Sequence, residues 1–212
     1  MRLDRAGFPF IIGAFALAVV SAAFGIWVLA VPSIGFVAFF AFFFRDPARV
    51  SPPGVDDAVL SPADGRVLVA GPAVAGAAPP GEWQQISIFL SPMDVHVNRM
   101  PVSGRVTHVS YLPGKYLPAF KHDAATTNER SEVWIDHRGQ DVVARQIVGF
   151  LARRVVCRVA PGAEVRAGDR FGVMKFGSRM DVFVPPNATL AVTVGQKVRG
   201  GETVIAMLHS AR

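Results

Sequence analysis

The chain contains one cysteine, Cys157, among 212 residues. No intramolecular disulfide can form, which fits a reducing compartment. Its setting among Val155, Val156 and Val159 reads as a small core residue on a strand. Charge is also missing over a long stretch: between Arg5 and Arg45 there is no Asp, Glu, Lys or Arg. Metal-ligand spacing is absent. His108, His122, His137 and His209 stand apart without a ligand pattern and read as surface or local hydrogen-bonding groups. The formal charge of +6 suits an anionic membrane surface. No concentrated basic stripe with interleaved aromatics accompanies it, so nucleic acid is not an expected partner.

The uncharged stretch is apolar and nearly twice the roughly 20 helical residues that a hydrocarbon core requires. A secretory signal would have a shorter apolar region and a small-residue cleavage site. Pro32-Ser33, followed by Gly35, predicts a break between a first segment, Phe8 to Val31, and a shorter Phe-rich one, Ile34 to Phe44. Arg2 and Arg5 precede the stretch, and Arg45 and Arg49 follow it. Cationic flanks favour the cytoplasm, which predicts a helical hairpin with both ends inside; the alternative is one crossing with an interfacial second segment, which puts the two ends on opposite sides. Residues 1–45 are thus expected to form a membrane anchor ahead of a β domain over 46–212.

From Asp46 onward, Pro and Gly punctuate short Val-rich runs, as in an all-β sandwich or barrel. Expected strands are Gly65 to Ala70, Gln85 to Leu90, Gly104 to Tyr111, Glu132 to Asp136, Asp141 to Gln146, Val155 to Val159, Arg170 to Phe176, Met180 to Val184, Thr189 to Val194 and Thr203 to Leu208. Ala70 to Gly81 reads as a mobile loop, and Ile147 to Arg154 as a short helix or a strand continuation. An internal repeat sharpens the fold: Gly162 to Asp169 matches Gly195 to Glu202 as G-x-x-V-x-x-G plus an acidic residue, at an offset of 33. This pattern resembles the turn-strand units of lipoyl and biotinyl domains. The resemblance implies a mainly β fold, a flattened barrel sandwich of two quasi-symmetric units.

Between the two repeats lies Met174-Lys175-Phe176-Gly177-Ser178-Arg179-Met180-Asp181. A peptide bond broken between Gly177 and Ser178 would leave both fragments woven into one sheet and create an N-terminus derived from serine. Three further segments accompany it: Ser61-Pro62-Ala63-Asp64-Gly65, then Leu90-Ser91-Pro92-Met93-Asp94-Val95-His96-Val97-Asn98-Arg99-Met100-Pro101, and Pro113-Gly114-Lys115. In that order, behind a membrane segment, they resemble the phosphatidylserine decarboxylases, particularly their compact membrane-anchored bacterial and archaeal branch.

The resemblance implies a proenzyme that cuts itself at Gly177-Ser178 into residues 1–177 and 178–212, a heterodimer of its own fragments. Ser178 becomes a covalent pyruvoyl group, which forms a Schiff base with phosphatidylserine and accepts the electrons left by CO₂. His96 is the implied base and later proton donor, with Asp64 as its orienting carboxylate, following triad logic. Arg99, Lys175 and Arg179 are candidate contacts to the anionic lipid headgroup. No metal is implied, a higher oligomer is left open, and the catalytic domain is expected on the cytoplasmic side of a bacterial inner membrane. The tail motif departs from the common L-G-S-T, and Arg99 stands where longer members carry a second histidine. A rival reading takes Met174-Lys175 as a partial biotin- or lipoate-acceptor signature, with Lys175 modified. Another is a membrane-tethered adaptor without chemistry.

Overall fold

The computed structural model describes residues 2–54, 56–121, 123–150, 155–175 and 177–209. They fall into two compact units, residues 1–48 and 49–212.

The first unit is a helical hairpin. Helix α1 (Phe8–Ala23) and helix α2 (Trp27–Phe43) pack together, with Phe10 stacked near Phe40 and Phe44 at 5.4 and 5.5 Å between ring centroids. Strands β1 (Arg2–Leu3) and β2 (Arg45–Asp46) pair antiparallel at the open end, which brings the two cationic flanks together. The break falls at Phe24-Gly25-Ile26 rather than at the predicted Pro32-Ser33. Gly25, at φ +69°, closes α1 with paired bonds: its own N–H donates to Ala22, and Ile26 N–H donates to Ser21. This is the glycine-terminated C-cap that ends many helices. Pro32 instead lies inside α2. Arg5–Ala23, with mean hydropathy 2.1, is long and apolar enough to cross a membrane, while Trp27–Phe43 is apolar but shorter.

The second unit is mainly β. In chain order its elements are β3 (Ala58–Leu60), β4 (Gly65–Pro72), β5 (Gln84–Leu90), β6 (Val97–Arg99), β7 (Gly104–Leu112), the short helix α3 (Ala124–Thr127), β8 (Arg130–His137) and β9 (Gln140–Ile147). They continue with β10 (Val156–Cys157), β11 (Glu164–Val165), β12 (Arg170–Val173), β13 (Ser178–Val184), β14 (Thr189–Leu190), β15 (Lys197–Val198) and β16 (Val204–Met207). A curled eight-stranded sheet runs β11-β7-β8-β9-β13-β5-β4-β15, and two three-stranded sheets run β10-β12-β6 and β14-β16-β3. Ile86, Ile88, Leu90, Met180 and Val182 lie on the core face of the large sheet and are fully buried. Each contributes about 1.5–3 kcal/mol relative to exposure.

The fold shows that the repeat is larger than the G-x-x-V-x-x-G pattern. Pro62-Ala63-Asp64-Gly65-Arg66-Val67 recurs as Pro101-Val102-Ser103-Gly104-Arg105-Val106, and each copy receives one turn of the other repeat. Val67 N–H donates to Gln196, and Val106 N–H to Ala163; Gly201 N–H donates to Ser61, and Gly168 N–H to Met100. β15 closes one edge of the large sheet on β4, and β11 closes the other on β7, with Val198 opposite Gly65 and Val165 opposite Gly104. The quasi-symmetric barrel expected from the lipoyl-like pattern is therefore built from four segments related in pairs.

Other expectations shift locally. The strand expected over Val155 to Val159 narrows to β10, and that over Thr189 to Val194 to β14. The 73–81 loop lies over the outer face of the large sheet, where Ala77 is buried and its carbonyl accepts from Arg145. Residues 151–154, the end of the ambiguous Ile147 to Arg154 stretch, lie outside the described residues, as do Phe176 and His122.

Candidate active site

Ser178 opens β13, which sits in mid-sheet between β5 and β9, with Ser178 opposite Leu90. Alternation along a strand puts Ser178 on the same inward face as Met180 and Val182. The side chain is fully buried, and its Oγ has no hydrogen-bond partner among the described residues. A buried hydroxyl without a partner costs about 1–3 kcal/mol, so this orphan marks a site where something other than packing sets the residue.

Gly177 precedes it at φ +73°, in the left-handed region that glycine occupies without steric cost. The close neighbour of its carbonyl is Gly149, where any Cβ would overlap the Gly177 oxygen. The Val148-Gly149 segment is fixed by the 113–129 loop. Val148 N–H donates to Glu129 O at 3.1 Å, and Asn128 Nδ2 donates to the Val148 carbonyl at 2.8 Å. Asn128 also bonds the backbone of Leu117, and Tyr116 O–H donates to Glu129 at 2.8 Å. The polar Asn128-Glu129 pair therefore knits the frame behind the Gly177 carbonyl.

His96 is fully buried just before β6. Its Nδ1 lies 2.9 Å from the Asp94 carbonyl, which can only accept, so Nδ1 carries the proton. Nε2 then presents its lone pair, and it accepts the Gly177 N–H at 3.4 Å. Asp94 itself is locked: its Oδ2 accepts the Ser91 N–H at 2.8 Å and the Ser91 hydroxyl at 2.7 Å. The S-P-x-D-x-H spacing thus builds a rigid turn whose carbonyl holds the imidazole.

Asp64 is not brought to His96. Its carboxylate pairs with Arg49 at 2.7 Å and accepts Gly200 N–H at 2.8 Å. Ser103, its counterpart in the repeat, accepts Ala167 N–H at 2.9 Å in the same way. Asp64 therefore clamps one repeat turn, and the group that holds His96 is the Asp94 carbonyl.

The three candidate headgroup contacts separate. Arg179 points to the outer face of β13 and is buried against Asp181 at 2.6 Å and Ser87 at 2.8 Å. Arg145 lies on that face too, paired with Glu132 at 2.8 Å and 4.8 Å over the Phe183 ring. Burial pushes its guanidinium pKa down, against the pull of Glu132 and Asp181. Arg99 is buried, with Nη1 donating to the Gly168 carbonyl at 3.0 Å in a repeat turn. Lys175 is half-buried, two residues before Gly177. Asp94 is legible in its motif, whereas Gly149 carries no sequence signal and is placed only by the long-range bonds of Val148 to Asn128 and Glu129.

A family model for phosphatidylserine decarboxylase matches residues 36–206. A phosphatidylserine decarboxylase proenzyme of Nitrosomonas europaea is 43% identical over 208 residues, covering 98% of this chain and 95% of that protein. Proenzymes of the same name from Prosthecochloris aestuarii and Granulibacter bethesdensis are 45% and 44% identical, over 83% and 94% of this chain and 80% and 83% of theirs. These matches define an enzyme class first, the decarboxylases or carboxy-lyases. Within it, the chain belongs to the phosphatidylserine decarboxylase family. That assignment displaces both the Lys175 carrier reading and the adaptor reading.

Proposed function

We propose that this protein decarboxylates phosphatidylserine to phosphatidylethanolamine, using a pyruvoyl group that it makes by cutting itself between Gly177 and Ser178. The observation that carries this reading is the buried, partnerless Ser178 hydroxyl beside a glycine at φ +73° whose N–H meets His96 Nε2.

The residues present fit the group. Serine supplies the nucleophile and the later leaving oxygen, while Gly177 adds no side chain to the crowded carbonyl. His96 Nε2 takes the Ser178 hydroxyl proton as Oγ bonds to the Gly177 carbonyl carbon. The C–N bond then breaks, the proton passes to the released amine, and the amide has become an ester. Loss of the Ser178 α-proton expels the Gly177 carboxylate and leaves a dehydroalanine. Addition of water there releases ammonia and leaves a ketone at the head of β13.

When formed, a pyruvoyl group supplies a carbonyl for the substrate amine and an electron sink for the pair left by departing CO₂. The chain's own residues then do three things. The β5-β13-β9 pairing holds residue 178 in place after the cut, because β13 is bonded on both sides and β15 and β16 are woven into separate sheets. Burial at residue 178 excludes water. His96 Nε2 carries the proton that replaces the carboxylate, a role typically worth about 10²–10⁴-fold.

Residues 1–45 serve as the anchor, a hairpin whose charged ends lie together on the cytoplasmic side of the inner membrane. Such an anchor tethers the catalytic domain to the surface that carries its lipid substrate. Residues 46–212 are the catalytic domain, and processing leaves the protein as a heterodimer of fragments 1–177 and 178–212. Ser178→Ala tests the reading: the variant is expected to stay uncut and inactive, and turnover by the uncut variant contradicts it.

A further inference from the structure

The two repeat copies differ where the barrel does not require it. In one copy Val59 and Ala206 pair across β3 and β16 as fully buried apolar residues; the equivalent pair in the other is Asn98 and Gly172. A Cβ on Gly172 would press on Gln146 Nε2 and overlap the Val156 carbonyl. Gln146, from β9, fills the space that the missing side chain leaves. Its Nε2 donates to Asn98 Oδ1 at 2.8 Å. Both residues are fully buried, yet Asn98 Nδ2 and Gln146 Oε1 have no partner. Exchanging O and N on both amides would still leave one donor and one acceptor unpaired. Each such group carries an uncompensated desolvation cost, and the sister copy shows that the fold accepts an apolar pair here.

The placement is equally specific. Gln146 stands opposite Met180, and the next residue on that face of β13 is Ser178. Asn98 lies two residues after His96. Gln146, with its orphaned acceptor, and the orphaned Ser178 Oγ thus share the inward face of the large sheet, and Asn98 meets that face from β6.

We propose that the Asn98–Gln146 pair is the subsite that reads the α-amino-carboxylate of the lipid's serine headgroup, an assignment that rests on the Ser178 reading above. The Asn98 amide N–H donates to a carboxylate oxygen, and Gln146 Oε1 accepts from the amine. One donor and one acceptor side by side complement an amine and a carboxylate on the same carbon. Phosphatidylethanolamine keeps the amine but lacks the carboxylate, so it loses the Asn98 contact. The pair thereby favours substrate over product.

The test uses the full chain in mixed micelles. Cyanoborohydride reduces the C=N bond formed between a lipid amine and the residue-178 ketone, and the mass of the 178–212 fragment reports capture independently of turnover. Phosphatidylserine and phosphatidylethanolamine are offered in turn, and adducts with and without the carboxylate are counted together. Asn98→Asp is expected to lower the phosphatidylserine-to-phosphatidylethanolamine capture ratio by tenfold or more, the scale of one hydrogen bond to a charged group. Asn98→Val with Gln146→Met recreates the apolar packing of the sister copy. It should melt no lower than the parent, cut normally and show the same fall in ratio. An unchanged ratio in either cut variant overturns the headgroup assignment. Failure of both variants to cut gives the pair to maturation and overturns it too. An uncut wild-type chain instead contradicts the Ser178 reading beneath it.

Discussion

Gly149 lies so close to the Gly177 carbonyl oxygen that a methyl group at position 149 would overlap it. The bond proposed to be cut is therefore held from behind by backbone. Gly149→Ala should displace that carbonyl from the Ser178 hydroxyl. Misplacement of about 1 Å can cost about 10²-fold in rate. Pulse-chase gels of newly made protein should show slowed appearance of the 178–212 fragment, with the uncut chain still folded. Normal cleavage kinetics would remove Gly149 from the scissile frame.

His96→Gln keeps a hydrogen-bonding side chain but removes the imidazole base. Cleavage should slow by about 10²–10⁴-fold, the usual worth of a general base. Ser91→Ala tests the support beneath it, because it removes one of the two bonds locking Asp94. It should slow cleavage far less than His96→Gln, and raising the pH should not abolish that difference. Equal defects in the two variants would count against His96 as the base.

Arg179 is treated by the fold as part of a buried ion pair, not as a headgroup contact. Arg179→Met leaves Asp181 buried without its partner. Removing one member of such a pair costs about 3–5 kcal/mol. Denaturant unfolding should show that loss, and Arg179→Met with Asp181→Leu should recover most of it. A stable single variant with a raised KM for lipid would restore the headgroup role.

Asp141 stands directly opposite Asp136 across the β8–β9 hairpin. Asp141 is exposed, but partial desolvation and then the Asp136 charge hold its carboxyl above the usual carboxylate range. A carboxyl held above its unfolded value favours the folded state in acid, and that advantage is lost as pH rises through the folded value. Asp141→Asn should therefore raise the melting temperature at pH 7, with the gain fading towards pH 3. A gain confined to acid would contradict the sign.

Much of this was legible in local sequence. The strands from Gly65 to Gln146 and the Gly177-Ser178 pair follow from Val-rich alternation, turn residues and spacing. The Pro32 break was misplaced because a helix that packs along its length tolerates a proline, while Gly25 supplies the positive φ that ends α1. Asp64 was assigned to His96 because a carboxylate in a family motif invites a triad. Its equivalence to Ser103 appears only when the copies offset by 39 positions face each other. Gln146 carried no motif at all. It reaches Asn98 through the pairing of β9 with β13 and the space above Gly172, and both relations are long-range.

Intact mass analysis of the purified, active protein, with separation of its fragments, tests the central claim most directly. The expected result is a fragment ending at Gly177 and a second beginning at residue 178 with a pyruvoyl group, refractory to Edman degradation. An active preparation made of intact chain, or a second fragment that begins with an ordinary serine amine, would contradict it.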